Sequence, residues 1–122
     1  MRIQNRIDYA VRALVVMAMA DGLCSRDQIA TRSGVPGAYL GSLLLQMRTR
    51  QLVVSSRGPN GGYRLERPAA TITLADVLSA LDDIDVAYDP ASPLASTWDQ
   101  LHRAWLDAAD DITLESLIPN PT

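Results

Sequence analysis

The stretch Arg57-Gly58-Pro59-Asn60-Gly61-Gly62-Tyr63 constrains this chain more than any other. Strand-like runs flank it, Leu52-Val53-Val54-Ser55-Ser56 before and Tyr63-Arg64-Leu65-Glu66 after. Asn-Gly supplies two positions that tolerate positive φ, which predicts a hairpin tip. Gly58, Gly61 and Gly62 carry no side chain, so another backbone can come close. Arg57 is the one long cation at the base of this bare tip. Such a hairpin suits insertion into a narrow groove beside phosphates, because a minor groove attracts Arg. A plain surface hairpin with a glycine turn would use the same residues. What precedes the hairpin decides between the two.

With 122 residues the chain is long enough for one domain with a modest core. No apolar run reaches membrane-spanning length and the first residues are charged, which argues against a signal peptide or a transmembrane helix. The only cysteine is Cys24. Alone it forms no internal disulfide and no zinc or iron–sulfur site, and a reducing cytoplasm fits. The formal net charge of −3 is unevenly spread. Residues 1–70 hold ten Arg against Asp8, Asp21, Asp27 and Glu66, a balance of +6. Residues 71–122 hold Arg103 against ten acids, a balance of −9. The basic half suits an anionic polymer and the acidic half does not.

Ile3 to Ala20 reads as a helix, with Ile7, Ala10, Val11, Leu14 and Ala18 on one face and Asp21-Gly22 ending it. Leu23-Cys24 reads as a short strand. Ser25-Arg26-Asp27-Gln28 is a capping box that opens a second helix, stopped at Gly34. Pro36 restarts the chain, and a third helix runs to about Arg50. Leu40, Leu43, Leu44 and Met47 form its buried stripe. Gly37, Ala38, Gly41, Ser42, Leu45 and Arg48 fall largely on the other face.

Two short helices joined by a glycine turn and followed by a hairpin predict a winged helix-turn-helix in a mainly α fold. The third helix is then the candidate for the major groove. It carries no charge between Val35 and Met47. Small residues let a helix approach base edges, and Ala38 suits a thymine methyl. Ser42 and Gln46 are the hydrogen-bonding candidates. Tyr39, Arg48, Arg50 and Arg57 are the phosphate-contact candidates, with Gly58, Asn60 and Gly61 completing the wing's DNA-facing tip.

After the wing, Pro68 to Thr71 reads as a connector. Thr73-Leu74-Ala75-Asp76 caps a short helix with Leu74, Val77, Leu78 and Leu81 on its apolar face. Asp82 to Pro93 reads as an acidic loop. From Leu94 the pattern is helical: Leu94, Trp98, Leu101, Trp105 and Ala108 form a heptad seam. We read Leu94, Trp98, Leu101 and Trp105 as a dimer contact. The competing reading folds this helix back on its own domain. Asp111-Ile112-Thr113-Leu114 reads as the start of a last helical turn. The domains expected are a winged helix-turn-helix over 1–82 and an acidic linker, dimerisation helix and short tail over 83–122.

The order Ile7-Asp8-Tyr9-Ala10-Val11-Arg12-Ala13-Leu14, Ile29-Ala30, Tyr39-Leu40, Leu52-Val53, Ser56-Arg57-Gly58, Gly61-Gly62-Tyr63-Arg64-Leu65 and Ile72-Thr73-Leu74 resembles the Rrf-two family of bacterial winged-helix transcription regulators. This family includes the iron–sulfur cluster regulator and the nitric-oxide-sensing repressor. The match runs to about residue 85, with a looser tail match at Trp98 and Ile112-Thr113-Leu114. The resemblance implies a homodimer on a partly palindromic operator in double-stranded DNA, with the helix after the wing domain as the dimer contact. Many members also hold a cluster on three cysteines. Here Ser92 stands where the last of them would be, Val86 and the rest of the loop offer none, and Cys24 lies in the wrong segment. Asp8 matches an acidic residue that in some members reaches the partner's cluster, but a lone oxygen ligand does not replace thiolates. The expectation is a cluster-free member with no cofactor, acting as a repressor, its small-molecule or protein effector left open.

Other residues fit bland roles. Cys24 reads as a small buried hydrophobe rather than a thiol sensor. His102 reads as a solvated or dimer-edge imidazole rather than a metal ligand. Asp82-Asp83-Ile84-Asp85 lacks the glycine and terminal Glu of a calcium loop. Trp98 and Trp105 fit core packing better than a ligand pocket. No nucleophile–base pairing is visible, which excludes an enzyme reading. A different class stays in play: a winged-helix protein-interaction module that has lost operator binding, suggested by the neutral third helix, the outward Leu45 and the negative net charge.

Overall fold

The computed structural model describes residues 5–81 and 89–119. Ile3, the Asp82-Asp83-Ile84-Asp85 run, Val86 and the expected boundary between residues 82 and 83 lie outside them. The helices are α1 (Asn5–Met19), α2 (Arg26–Ser33), α3 (Gly37–Thr49), α4 (Leu74–Ala80) and α5 (Ala95–Asp110). The strands β1 (Val53–Ser56) and β2 (Gly62–Leu65) form one antiparallel hairpin, in the register Val53↔Leu65 to Ser56↔Gly62. The connector after the wing is tighter than expected, with a 3-10 turn at Ala69–Thr71.

Helix α1 is the centre of the fold. It packs against α2, α3, α4, β2 and the 3-10 turn at Glu115–Leu117. Its fully buried stripe is Ile7, Ala10, Ala13, Leu14 and Met17, while Val11 and Ala18 keep partial exposure. The α3 stripe of Leu40, Leu43, Leu44 and Met47 is buried as the periodicity predicts. Both capping boxes form. Ser25 Oγ accepts from Gln28 N–H at 3.1 Å, and Gln28 Oε1 accepts from Ser25 N–H at 3.0 Å. Thr73 and Asp76 repeat this at the start of α4. Asp76 also takes a 2.8 Å ion pair from Arg67, which fastens the end of the wing to α4.

The hairpin tip differs from an Asn-Gly turn. Asn60 keeps a negative φ, and the positive values fall at Gly58 (108°) and Gly62 (155°). Gly61 N–H donates to the Gly58 carbonyl at 2.9 Å, with Pro59 and Asn60 between them. Pro at the second position and Gly at the fourth are what a type I turn favours. Cys24 joins the sheet as a single bridge to Tyr63, with both backbone bonds made at 2.9 and 2.7 Å.

The tail holds more than expected. Asp111 to Leu114 does lead into a last short helical turn: Leu114 caps the 3-10 turn Glu115–Leu117, and Thr113 Oγ1 accepts from Ser116 N–H at 3.2 Å. Leu114 N–H donates to Ile72 O and Leu74 N–H to Ile112 O, both at 2.9 Å, so Thr73 and Thr113 form an antiparallel bridge. Two identical Ile-Thr-Leu triplets thus pair with each other. Leu114 and Ala109 are buried in the same core as Leu14. A local reading cannot find this bridge, because Ile112 O and Leu114 N–H take their partners from Leu74 and Ile72.

The end of α3 is a Schellman motif. Gln51 N–H donates to Arg48 O at 3.0 Å and Leu52 N–H to Met47 O at 2.9 Å. Gln51 occupies the left-handed position at φ 64°, the one non-glycine residue with positive φ among the described residues. That conformation costs an L-residue roughly 1–2 kcal/mol, partly matched by the entropy a glycine loses on folding. Gln51→Gly is therefore expected to stabilise the fold by about 0.5–1 kcal/mol. The readout is a higher urea midpoint at unchanged m-value. An unchanged or lower midpoint would mean that the Gln51 side chain stabilises its own strained turn.

Candidate nucleic-acid interface

Asp27, in the first turn of α2, is exposed, but beyond it the stretch through α3 and the wing has a simple composition. From Gln28 to Leu65 the sequence holds no Asp or Glu and five Arg: Arg32, Arg48, Arg50, Arg57 and Arg64. All five are exposed. The helix-turn-helix corner is set by Gly34, left-handed at φ 74°, whose N–H closes α2 on Ala30 O at 3.0 Å. Pro36 then caps the start of α3.

On α3, Ala38, Tyr39, Ser42, Leu45 and Arg48 face outward, as the spacing predicts. Tyr39 is held from behind: its ring lies 5.7 Å from that of Tyr9 on α1. Arg12 lies over the Tyr9 ring, 5.7 Å from its centroid, and its guanidinium meets Asp8 at 2.9 Å. So Asp8 has a partner within its own helix. The first helix thereby supports the outer face of the third.

Gln46 is placed differently from its expected role. It is half-buried, and its Oε1 accepts from Arg6 Nη2 at 3.2 Å. The same Arg6 nitrogen donates to the Leu81 carbonyl. Gln46 therefore ties α3 to α1 and to the end of α4. Ser42, Tyr39 and Ala38 are left as the groove-facing candidates of the first two turns. Arg48 Nη1 donates to Ser55 Oγ at 3.3 Å, linking the end of α3 to β1. Arg50 takes the cap position of α3.

Arg57, Gly58, Pro59 and Asn60 project at the wing tip and are exposed. The glycines beside them serve the chain's own backbone rather than a partner's. A Cβ on Gly61 would stand 2.2 Å from Ser56 O, and one on Gly62 would stand 2.3 Å from Cys24 O. Gly58 has open space around it and needs glycine for its positive φ.

Sequence reasoning missed Arg26. Its Nη2 donates to Gly37 O at 3.1 Å and its guanidinium covers Gly41. One signal was available: a cation in the first turn of a helix opposes the helix dipole, and such a placement calls for a reason.

The seam on α5 divides. Leu94 and Leu101 are 51% and 58% exposed, and Trp98 is half-buried. Trp105 packs against the domain's own core. It walls an apolar hollow of about 310 Å³ with Ile7, Val11, Leu74 and Leu78. So the upper seam points away from the domain and the lower seam folds back on it. His102 lies half-buried beside Trp105, ring centroids 6.5 Å apart, its Nδ1 without a hydrogen-bond partner among the described residues.

A cluster bound through three thiolates does not fit this donor set. The chain has one cysteine, and Cys24 is buried beneath the wing, 1% exposed. Among the described residues no three His, Cys, Asp or Glu side chains converge as metal ligands. No helix among them is long and apolar enough to cross a membrane.

With this geometry in place, the likeness to known proteins is specific. The model of the Rrf2 (Rrf-two) family, described as iron-dependent transcriptional regulators, matches residues 3–120. The HTH-type transcriptional regulator IscR of Xenorhabdus nematophila is 33% identical over 132 residues, covering 98% of this chain and 80% of that protein. The solved structure of T. potens IscR superposes with a TM-score of 0.81 at 29% identity, over 96% of this chain and 85% of that one. CymR (YrzC), the global cysteine regulator of B. subtilis, superposes with a TM-score of 0.80 at 26% identity, over 96% and 95%. A winged helix whose stretch from Gln28 to Leu65 holds no acid, matched by family, relatives and solved structures alike, makes this chain a member of the Rrf-two family of DNA-binding transcription regulators, and not an enzyme.

Proposed function

We propose that the protein is a homodimeric, cytoplasmic repressor that binds a partly palindromic operator and works without an iron–sulfur cluster. In this reading residues 1–82 carry the DNA contacts and residues 83–122 the dimer contact. The observation that carries it is the face formed by α3 and the wing, with exposed Arg48 and Arg57 and no carboxylate from Gln28 to Leu65; Arg50, at the cap of α3, lines a hollow beside α4 with Arg67 and Asp76. Ala38, Tyr39 and Ser42 supply the groove contacts. Repression follows from occupancy alone, since a dimer lying across a promoter excludes other proteins from it.

Support for the cluster-free reading is the donor set. Soft thiolates hold such clusters, and Ser92 is a hard hydroxyl whose Oγ accepts from Leu94 N–H at 3.1 Å. Protein purified without oxygen is expected to be colourless, with no charge-transfer absorption. Iron and sulfide recovered in equal, stoichiometric amounts would sink this part of the reading.

Support for the dimer is the upper seam, where Leu94 and Leu101 are large, apolar and exposed around Trp98. Aromatic and aliphatic anchors of this kind dominate interface energetics. Trp98→Ala combined with Leu101→Ala should shift sedimentation toward monomer while leaving the circular dichroism spectrum intact. A variant that sediments like the parent places these residues outside the contact.

Arg57 tests the DNA face itself. It is exposed at the base of the wing tip, and no hydrogen bond or ion pair within the described residues holds it. A planar, weakly hydrated guanidinium suits a narrow groove of negative potential. Arg57→Ala should weaken operator binding by roughly 1–3 kcal/mol per subunit. If the contact is to phosphate alone, the loss is uniform across sequences and the salt slope flattens by about one ion per contact. Binding as tight as the parent's, with the fold intact, would remove the wing from the interface.

A further inference from the structure

Two placements in this chain run against local preference, and they meet at one point. Arg26 puts a cation in the first turn of α2, where the helix dipole disfavours it. Gly41 sits in the middle of α3, where glycine is a poor helix former. The Arg26 guanidinium lies against Gly41: a Cβ there would stand 2.8 Å from Nη2, 3.1 Å from Cζ and 3.3 Å from Nη1. Nη2 also donates to the Gly37 carbonyl at 3.1 Å. The guanidinium thus fills the volume that a side chain at position 41 would occupy. Ala38, Ser42 and Leu45 beside it are exposed, and so is Arg26. Helix α3 has no charge of its own from Gly37 to Met47.

We propose that Arg26 is a specificity-determining residue of the interface, presented by α2 through the gap at Gly41 to read a guanine edge in the major groove. The inference rests on the DNA-binding reading of this face. A guanidinium matches the O6 and N7 acceptors of guanine in a bidentate pair. Anchoring one nitrogen on the Gly37 carbonyl fixes the plane of the fork and leaves its other N–H groups to the open side. A phosphate contact needs only charge, which a freely mobile arginine supplies. Holding Arg26 against the helix, at the expense of helix propensity at position 41, favours base readout instead.

The pairing gives an unusual test. Gly41→Ala improves helix propensity and removes no charge, yet its Cβ displaces the guanidinium. Wild type, Arg26→Ala, Gly41→Ala and the double variant are bound to the site that wild type selects from a random double-stranded library, and to each single base-pair change of it. Wild type should prefer guanine at one position of each half-site. Arg26→Ala and Gly41→Ala should each lose that preference by roughly 5- to 100-fold, the range for one bidentate base contact. The double variant should be no worse than Arg26→Ala alone, and the melting temperature of Gly41→Ala should match or exceed the parent's. Arg57→Ala should weaken binding while keeping the preference. The proposal is overturned if Gly41→Ala binds and discriminates like the parent, or if its loss adds to that of Arg26→Ala. It is also overturned if Arg26→Ala weakens all sequences equally with a flatter salt slope, which marks a phosphate contact. A wild type that selects no site would overturn the DNA reading as well, an outcome distinct from all of these.

Discussion

Leu14, Ala10 and Ala13 have no exposed surface, and the helix that carries them touches nearly every other element of the wing domain. Small residues at two of these positions let neighbouring helices approach closely, and burying a leucine contributes about 1.5–3 kcal/mol. The hairpin could not stand alone. Two strands of four residues are marginal in water without a core to lie on. Leu52 and Val53 enter that core from one side of the hairpin, and Tyr63 is bridged to Cys24 on the other. The outward face of the same α1 carries Tyr9 and Arg12, which back Tyr39 on the reading helix. One helix therefore fixes both the stability of the domain and the posture of its DNA face.

The wing's bareness has an internal cause. Gly61 and Gly62 are glycine because Ser56 O and Cys24 O come closer than a Cβ would allow. Tight turning and the Cys24 bridge consume them. In the proposed reading, contact with DNA falls to the residues that the fold leaves unused, Arg57, Pro59 and Asn60, and only Arg57 among them is charged. A similar division holds on α3. Gln46 and Arg48 are partly engaged, with Arg6 and Ser55, while Ala38, Tyr39 and Ser42 make no hydrogen bond through their side chains within the described residues.

Much of this was legible where the signal is local. Capping boxes at Ser25/Gln28 and Thr73/Asp76, the stop at Gly34 and the buried stripe of α3 depend on residues three or four apart, and they form as read. The reading is incomplete where a distant partner decides. Asp111 to Leu114 leads into a short helical turn as read, but its bridge at Thr113 exists only because residues 72–74 supply the partner bonds. Gln46 is polar on an amphipathic helix, and only the fold reveals that Arg6 claims it. Trp105 keeps heptad spacing with Trp98 yet is partly buried against the core, where it walls a hollow with Ile7, Val11, Leu74 and Leu78. The Schellman end of α3 was invisible because its left-handed residue is glutamine rather than glycine. Arg26 was hidden for the opposite reason: its role lies in space, fifteen residues away from the glycine it covers.

The uneven charge gains meaning from this geometry. A chain of net charge −3 approaches a polyanion only if its sign is local. Screening makes it so, because charges act over a Debye length of about 8 Å at physiological ionic strength. In the proposed reading, DNA near α3 and the wing meets Arg48 and Arg57 on a stretch that holds no carboxylate. DNA near α5 would meet Asp99, Asp107 and Asp110 on a helix of 16 residues, a span of about 24 Å. The first encounter is attractive and the second repulsive, so the field rejects most wrong orientations before any base is touched. In the proposed reading affinity is set by few contacts, and each arginine on the face carries a large share of it. That is the arrangement expected when a reading helix holds no charge before Arg48 in its last turn: position comes from the field, register from phosphates, and discrimination from the few polar groups the fold has left outward.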